Sequence, residues 1–442
     1  MNAAARAEDE IVPAATMEPP RSTAALVNAG LLIKSSVRRC APRYSERLYG
    51  PRLAGRDPSG RVGSVTQVKI ALFASSLRGG GGKSVGVNLV RSLPLAGSDH
   101  TYLNFIPPDD DYRAAALESG SEVVEVPSTG AMRRMVWESA RGSRLASKWG
   151  AEWVVALGNV PIRFSGKSAV LLHDPHLFYP WSAMGHLSKR RKVRKWLLRA
   201  ELRSAIRSQA VVLAQTRAAA ARIESTYGVR NICVVPNAVS SLITDAVDPA
   251  VPMQLPAAGF RFLTLTRYAE RKGLDTLADM FESHAGALED VGGIITIDPA
   301  DGPAARRLLE RLANSRSAGG LHNVGHVPQA QLRSLYGQVD AIVLPSQLES
   351  MSGTYVEAMA LGVPIITSDR DFAREVCGDA ALYVDPDDPA DIAAAIRRLA
   401  DDDALRRRLV ASGLQRADGE QATWADAADA VVRALEHPSS CQ

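Results

Sequence analysis

At 442 residues, 46% hydrophobic and 23% charged, the chain has enough length for two domains with full cores plus an extension, and no apolar run approaches the roughly 20 residues that cross a bilayer. Ten Lys/Arg against six Asp/Glu in residues 1–67 account for the whole formal charge of +4, so the body is neutral and no whole-protein field argues for a nucleic-acid partner. Cys40, Cys233, Cys377 and Cys441 lie far apart in the sequence; their spacing predicts neither a zinc site nor a disulfide framework, which fits a reducing cytoplasm.

Residues 1–67 are rich in Ala, Pro, Ser and Arg without a sustained period. They read as a disordered extension with one short helix, or as the product of a mis-assigned start, and Ala24 to Ile33 lacks the flanks of a signal peptide. Val68 to Ala74 is a good first parallel strand. The following Ser75 to Ser84, SSLRGGGGKS, has Leu77 where a Walker A loop needs glycine, so no ATP-hydrolysing phosphate cradle is expected. Gly79 to Gly82 are either a place where a ligand approaches the backbone closely or a simple flexible turn. Trp153 to Leu157 and Ala169 to Leu172 continue the strands. The latter ends in His173-Asp174, at a carboxyl end where α/β folds place ligands; a packed structural histidine is the competing reading.

Ser188 to Arg207 carries nine Lys/Arg and one Glu, with Val193, Trp196, Leu197 and Ala200 at helical spacing. Three uses compete for this basic helix. It can pack on the core with a solvated face, dock on an anionic membrane surface, or bind nucleic acid, although no nucleic-acid motif accompanies the charge.

Ala210 to Ala214 and Ile232 to Val235 read as the last strands of a first domain, and residues 246–259 as a Pro- and Ala-rich linker. A second domain opens with Phe260 to Thr266, followed by Arg267 and Lys272. Two cations at a strand end can hold a diphosphate and offset the charge that grows on it as it leaves; solvated surface cations are the alternative. Asp340 to Leu344 is a short buried strand, stopped by Pro345-Ser346, and a polar loop carries Glu349. Ser352-Gly353-Thr354 opens a helix that Gly362 and Pro364 close before Ile365 to Thr367. A helix start offers unpartnered N–H groups and a positive dipole end to an anion. Thr354-x-x-Glu357 matches a capping box, the structural reading of Glu357. Carboxylates repel phosphate but accept hydrogen bonds from hydroxyls. Glu349 and Glu357 on either flank of that helix start therefore suit a ligand with phosphate in its middle and hydroxylated rings at both ends, a nucleotide-sugar. Ala422 to Leu435 is an amphipathic terminal helix.

The Glu349/Glu357 spacing resembles the E-x7-E signature of the large class of retaining GT-B-fold glycosyltransferases (glycosyl transferases group 1, family 4). Asp369 to Pro386 (DRDFAREVCGDAALYVDP) is similar to that family's continuation. Leu265 to Leu277 (LTRYAERKGLDTL) resembles its phosphate-binding segment, and Asn323 to Pro345 its base-binding strand and loop. With the His-Asp segment, the matches run in the family's order over most of residues 170–430. The resemblance implies an α/β, GT-B fold of two Rossmann-like domains facing across a cleft. Residues 68–245 would be the acceptor domain, 246–259 the linker, 260–420 the donor domain, and 421–442 a terminal helix crossing back, with its tail. It implies transfer of a hexosyl unit from a nucleotide diphosphate sugar to a glycan, lipid-linked or small-molecule acceptor with retention. Neither a metal nor a cofactor beyond the co-substrate is implied.

The catalytic residues carried over are Arg267, Lys272, Glu349 and His173, with Asp174 beside the last. The donor-binding residues are Gly80, Gly81, Val327, Ser352, Gly353, Thr354 and Glu357, with Glu349 on sugar hydroxyls and Glu357 on the ribose. One departure stands out: Ile294 to Pro303 places Asp298-Pro299 where the family has a strand ending in glycine, which puts a donor contact there in doubt. A nucleotide-sugar epimerase or hydrolase of the same fold, or a non-catalytic nucleotide-sugar binder, remain as alternatives. The expected location is cytoplasmic, peripheral to the membrane through residues 188–207.

Overall fold

The computed structural model describes residues 12–13, 67–96, 99–127, 130–239, 243, 253–315, 320–419 and 422–441. The short helix anticipated within 1–67, and residues 246–252 of the 246–259 linker, lie outside the described residues.

Fourteen strands form two sheets among these residues. The first contains β1 (Val12–Pro13), β2 (Lys69–Phe73), β3 (Thr101–Ile106), β4 (Glu122–Glu125), β5 (Trp153–Ala156), β6 (Lys167–Leu171), β7 (Val211–Ala214) and β8 (Ile232–Val234). Their order is β1-β4-β3-β2-β5-β6-β7-β8, parallel except for the two-residue β1. The second contains β9 (Phe260–Thr264), β10 (Val291–Ile295), β11 (Leu321–Asn323), β12 (Ala341–Leu344), β13 (Ile365–Ser368) and β14 (Ala381–Val384). It is parallel throughout in the order β11-β10-β9-β12-β13-β14. Each sheet thus turns back at its first long strand, β2 or β9. The crevice outside the carboxyl ends at such a switch point is where this class of fold receives ligands.

The strands are apolar on both faces because helices cover both. Along β2, Ile70 and Leu72 pack on one side with Val85 and Leu89 of the Gly80–Ser92 helix. Ala71 and Phe73 pack on the other, with Ala146, Leu202 and Ile223. The first side is completed from the far end of the chain. The Trp424–Glu436 helix, opened by a Thr423/Asp426 capping box, buries Ala427, Ala428, Val431 and Leu435 there, and Glu436 meets His100 at 3.3 Å. That return brings Cys441 to β8, where it is disulfide-bonded to Cys233 with 4.9 Å between Cα atoms. The expectation of no disulfide is therefore corrected: linear spacing says nothing about pairing once a tail folds back over 208 residues.

Polar contacts tie the two sheets' lobes together. The Glu375 carboxylate accepts hydrogen bonds from the backbone N–H groups of Arg217 and Ala218, each at 2.7 Å, at the start of the Arg217–Tyr227 helix, where a negative charge complements the dipole. Tyr179 donates to Asp371 at 2.9 Å.

The basic segment is a helix, Lys189–Arg207, seated by the face that carries residues 195, 199, 202 and 206. Lys195 pairs with Asp174 at 2.7 Å. Arg199 donates to the His176 carbonyl at 2.9 Å and lies 4.1 Å above the Trp181 ring, while Leu202 and Ile206 are buried. Val193, Trp196 and Leu197 are 58%, 57% and 55% exposed. The stripe visible in the sequence faces solvent instead of seating the helix.

Candidate functional site

The carboxyl ends of β9 and β12 carry a three-charge cluster. After β9 the chain makes a turn over Glu270–Lys272 and passes through Gly273 at φ +70°, where an added Cβ would overlap the Pro345 carbonyl oxygen at the end of β12. Only glycine permits this approach, and it delivers Arg271 and Lys272 to the Glu349 loop. Glu349 is 4% exposed; its Oε2 lies 2.8 Å from Arg271 Nη1, and its Oε1 is ion-paired with Lys272 Nζ. Ser346 Oγ adds a 3.3 Å hydrogen bond. Burial pushes the Glu349 carboxyl up, but the two cations outweigh it and hold the group below the usual carboxylate range. For Lys272, burial is the larger effect and lowers the ammonium against Glu349's opposing pull. Two cations on one carboxylate leave the cluster one charge positive.

Beside it, the Gly353–Ala360 helix starts from Ser352 in extended conformation with no side-chain cap. Its first turn is therefore open to an anion. The capping-box reading of Glu357 does not hold. Because Ser352, not Thr354, is the cap, Glu357 sits two residues too far along and instead accepts a 2.7 Å hydrogen bond from Tyr336 Oη. Burial raises its carboxyl, with the Tyr336 hydrogen bond acting against the rise. Tyr336 comes from the Gln329–Tyr336 helix, and Val327, two residues before that helix, is buried at its entrance.

Arg267 takes a different position from Lys272. Its Nε donates to Asp301 Oδ1 at 2.7 Å, and its guanidinium lies against the glycine loop of the first lobe: a Cβ on Gly79 would be 2.8 Å from Nη1, and one on Gly80 3.5 Å from Cδ. Asp301 also accepts from the Tyr268 N–H at 2.9 Å and completes a capping box with Asp298. The Asp298-Pro299 segment that departs from the family pattern therefore anchors Arg267. The structure brings Arg267 to Gly79 and Gly80, and Lys272 to Glu349, as separate arrangements.

In the first lobe Gly80 opens its helix at φ +58°, and an added Cβ on Gly82 would lie 4.0 Å from His173 Cε1, while one on Gly81 would meet nothing within 4 Å. Lys83 turns away to Asp109 and Asp111, each at 2.7 Å. His173 and Asp174 hang on one side chain: Asn159 Oδ1 accepts from both backbone N–H groups, at 2.6 and 2.7 Å. Asn159 holds φ +68°, a conformation that costs a non-glycine residue energy and is retained where the surroundings over-determine it. The His173 ring Nε2 lies 3.1 Å from the Leu157 carbonyl oxygen, and burial lowers the imidazole's affinity for a proton. Asp174 is engaged with Lys195 and His176; burial opposes its ionisation, but these partners hold it well below the carboxylate range. From the second lobe, Ser350 Oγ donates to the His173 carbonyl at 2.8 Å, which fastens the His173 backbone to the residue that follows Glu349.

Arg271, Asp301, Tyr336, Asn159 and Ser350 were not singled out in the sequence. Arg271 had a local signal, a second cation beside Lys272. The others are ordinary residues whose partners lie far along the chain. Among the described residues no group of three or more His, Cys, Asp or Glu is arranged to hold a metal ion, and no helix is long and apolar enough to cross a membrane.

Residues 254–416 match the family described as glycosyl transferases group 1. The chain is similar to the O-antigen chain mannosyltransferase B of Escherichia coli, 34% identical over 118 residues that make up 27% of this chain and 30% of that protein. It is also similar to the phosphatidyl-myo-inositol mannosyltransferase of Mycobacterium leprae, 30% identical over 211 residues, 46% of this chain and 52% of that protein. The matched stretch thus spans about half or less of these relatives' own length. In three dimensions the chain resembles a sucrose-phosphate synthase from Thermosynechococcus elongatus, with a TM-score of 0.65, 16% identity, and coverage of 84% of this chain and 99% of that one. That likeness carries the fold alone: two Rossmann-like sheets in the GT-B arrangement.

Proposed function

Starting from a glycosyl transferases group 1 domain at residues 254–416, we propose that the chain moves a hexosyl unit from a nucleotide diphosphate sugar to a hydroxyl acceptor with retention of configuration. The observation that carries this reading is the net-positive Arg271–Lys272–Glu349 cluster beside the uncapped start of the Gly353–Ala360 helix. A diphosphate fits between them, taking the N–H groups at Ser352, Gly353 and Thr354 and the charge of Lys272 and Arg271. Arg267 closes on it from the side of Gly79, Gly80 and Gly81. Glu357 and the loop at Val327 serve the nucleoside end, and Glu349 and His173 the sugar.

In the reaction the bond from the anomeric carbon to the diphosphate oxygen breaks, and its electron pair stays on the diphosphate. The acceptor oxygen bonds to the same face of that carbon, and its proton passes to the departing phosphate. Preorganised cations in a site that excludes water stabilise the charge that develops on the leaving group. They can do so without a metal, so turnover in excess chelator is the expected result. His173, whose charged form is disfavoured by burial, acts as a hydrogen-bonding group at the sugar.

The acceptor partner is a glycan or a lipid-linked molecule, and the exposed Val193, Trp196 and Leu197 among the cations of the Lys189–Arg207 helix support membrane contact. Lys and Arg near anionic lipid contribute about 1 kcal/mol each. A thermal-shift panel of UDP- and GDP-sugars tests the donor assignment, since a ligand at 100 times its dissociation constant stabilises by about 2.7 kcal/mol. Stabilisation by none of them would sink the reading. Product formed from donor alone at the turnover rate would make the enzyme an epimerase or hydrolase instead.

A further inference from the structure

A second polar site lies in the first lobe, at the carboxyl ends of β2 and β5 and outside the Arg271–Lys272–Glu349 cluster. The helix Ala131–Trp137 runs into a wide π-turn, Glu138–Gly142, before the chain resumes as Ser143–Trp149. Such turns re-aim a side chain and recur at functional sites. This one begins at Glu138, an ionisable side chain only 6% exposed. Ser75 Oγ donates to its Oε1. Arg134 approaches the same oxygen, but its Nε stands 3.5 Å away and is buried without a hydrogen-bond partner. A buried N–H in that condition has given up its water without gaining an acceptor, so an incoming oxygen there relieves a cost already incurred.

Between these groups is a cavity of about 20 Å³ bounded by Phe73, Ser76, Arg134, Glu138, Gly158 and Ile162. A site needs roughly 10–15 Å³ on the same measure to hold one water, so the space suits a single oxygen with its proton. Gly158 lets the Ser76 side chain pack directly on the backbone at the cavity wall, because an added Cβ would overlap Ser76 Oγ. The cavity is close to the chemistry along the chain. Ser76 is three residues before Gly79, and Gly158 immediately precedes Asn159, which holds His173.

We propose that this niche is an acceptor subsite, occupied by one hydroxyl of a sugar or polyol, which donates to the Glu138 carboxylate and accepts from Arg134 Nε–H. A hydroxyl is both donor and acceptor, and it satisfies the two groups at once. A phosphate is anionic at neutral pH and would be repelled by the Glu138 carboxylate. The inference rests on the transferase reading above and deepens it, by assigning a polyhydroxylated acceptor and the residues that select it.

The test is saturation-transfer NMR on the full chain with UDP or GDP present, using glucose, mannose and myo-inositol as probes, alongside calorimetry of the nucleotide. At least one probe should bind wild type. Glu138→Gln and Arg134→Lys should each weaken that binding tenfold or more, with nucleotide affinity unchanged within twofold. Arg134 lies at the niche's edge, so R134K carries the test if E138Q fails to fold. Binding of no probe to wild type, or equal binding by wild type and R134K, overturns the subsite. If neither nucleotide binds but a sugar does, and both variants lose it, the subsite stands and the transferase assignment falls.

Discussion

Lys272→Ala is the substitution that separates a catalytic cation from a structural one. Its side chain is 17% exposed and shares Glu349 with that of Arg271, itself 20% exposed. Deleting Lys272 leaves the Arg271–Glu349 pair intact at 2.8 Å, so no buried charge is orphaned and the fold should lose little. Deleting Glu349 instead leaves two buried cations facing each other, the situation that costs about 3–5 kcal/mol when one partner of a buried pair is removed. For the reaction, by contrast, Lys272 itself is needed. Lys272→Ala takes the cluster from one positive charge to none, and removing one preorganised group at a developing anion costs about 2.7–4 kcal/mol of transition-state stabilisation, a factor of about 10²–10³ in kcat. The assay is release of nucleoside diphosphate under saturating donor, run beside thermal denaturation. A kcat within tenfold of wild type, or a loss of activity that merely follows a collapse of the thermal midpoint, would refute the reasoning.

Further outcomes follow from the same contacts. Glu349 and Asp174 are held below their ordinary values of 4.5 and 3.8, so their contribution to stability is complete above those values and is lost as pH falls through the lowered folded ones; the stability gap between wild type and Glu349→Gln should shrink below pH 4.5, and a gap constant from pH 7 to 3 would exclude the linkage. Reducing the Cys233–Cys441 bond, or replacing Cys441 by Ser, should destabilise the chain by about 2–4 kcal/mol, read as a lower denaturation midpoint. Trp196→Glu should abolish sedimentation with anionic vesicles while leaving donor binding unchanged, and wild-type binding should weaken as salt screens the helix charges. Asn159→Ala should lower activity more than Asn159→Gly, since glycine keeps the φ of +68° without strain although both lose the two backbone hydrogen bonds to His173 and Asp174.

Local chemistry in the sequence was sufficient for the α/β class. Runs such as Ile70 to Phe73 and Ile342 to Leu344 are apolar on both faces, and they alternate with helical stretches closed by Gly and Pro, which allows little besides covered parallel sheets. The same locality made the Glu349 loop and the Ser352 helix start legible, because strand, loop and helix start succeed one another within a few residues. Which groups meet there was decided by the tertiary structure. Arg271 and Lys272 reach Glu349 across 77 or more residues; Tyr336 claims Glu357; Arg267 settles on Asp301 and the glycine loop; and a returning tail pairs Cys441 with Cys233. The basic helix makes the same point: its period is written in the sequence, but which of its faces meets solvent depends on Asp174, His176 and Trp181, which come from another part of the fold. Periodicity reports how one segment partitions between water and core, whereas charge pairing is settled only when distant segments close on one another.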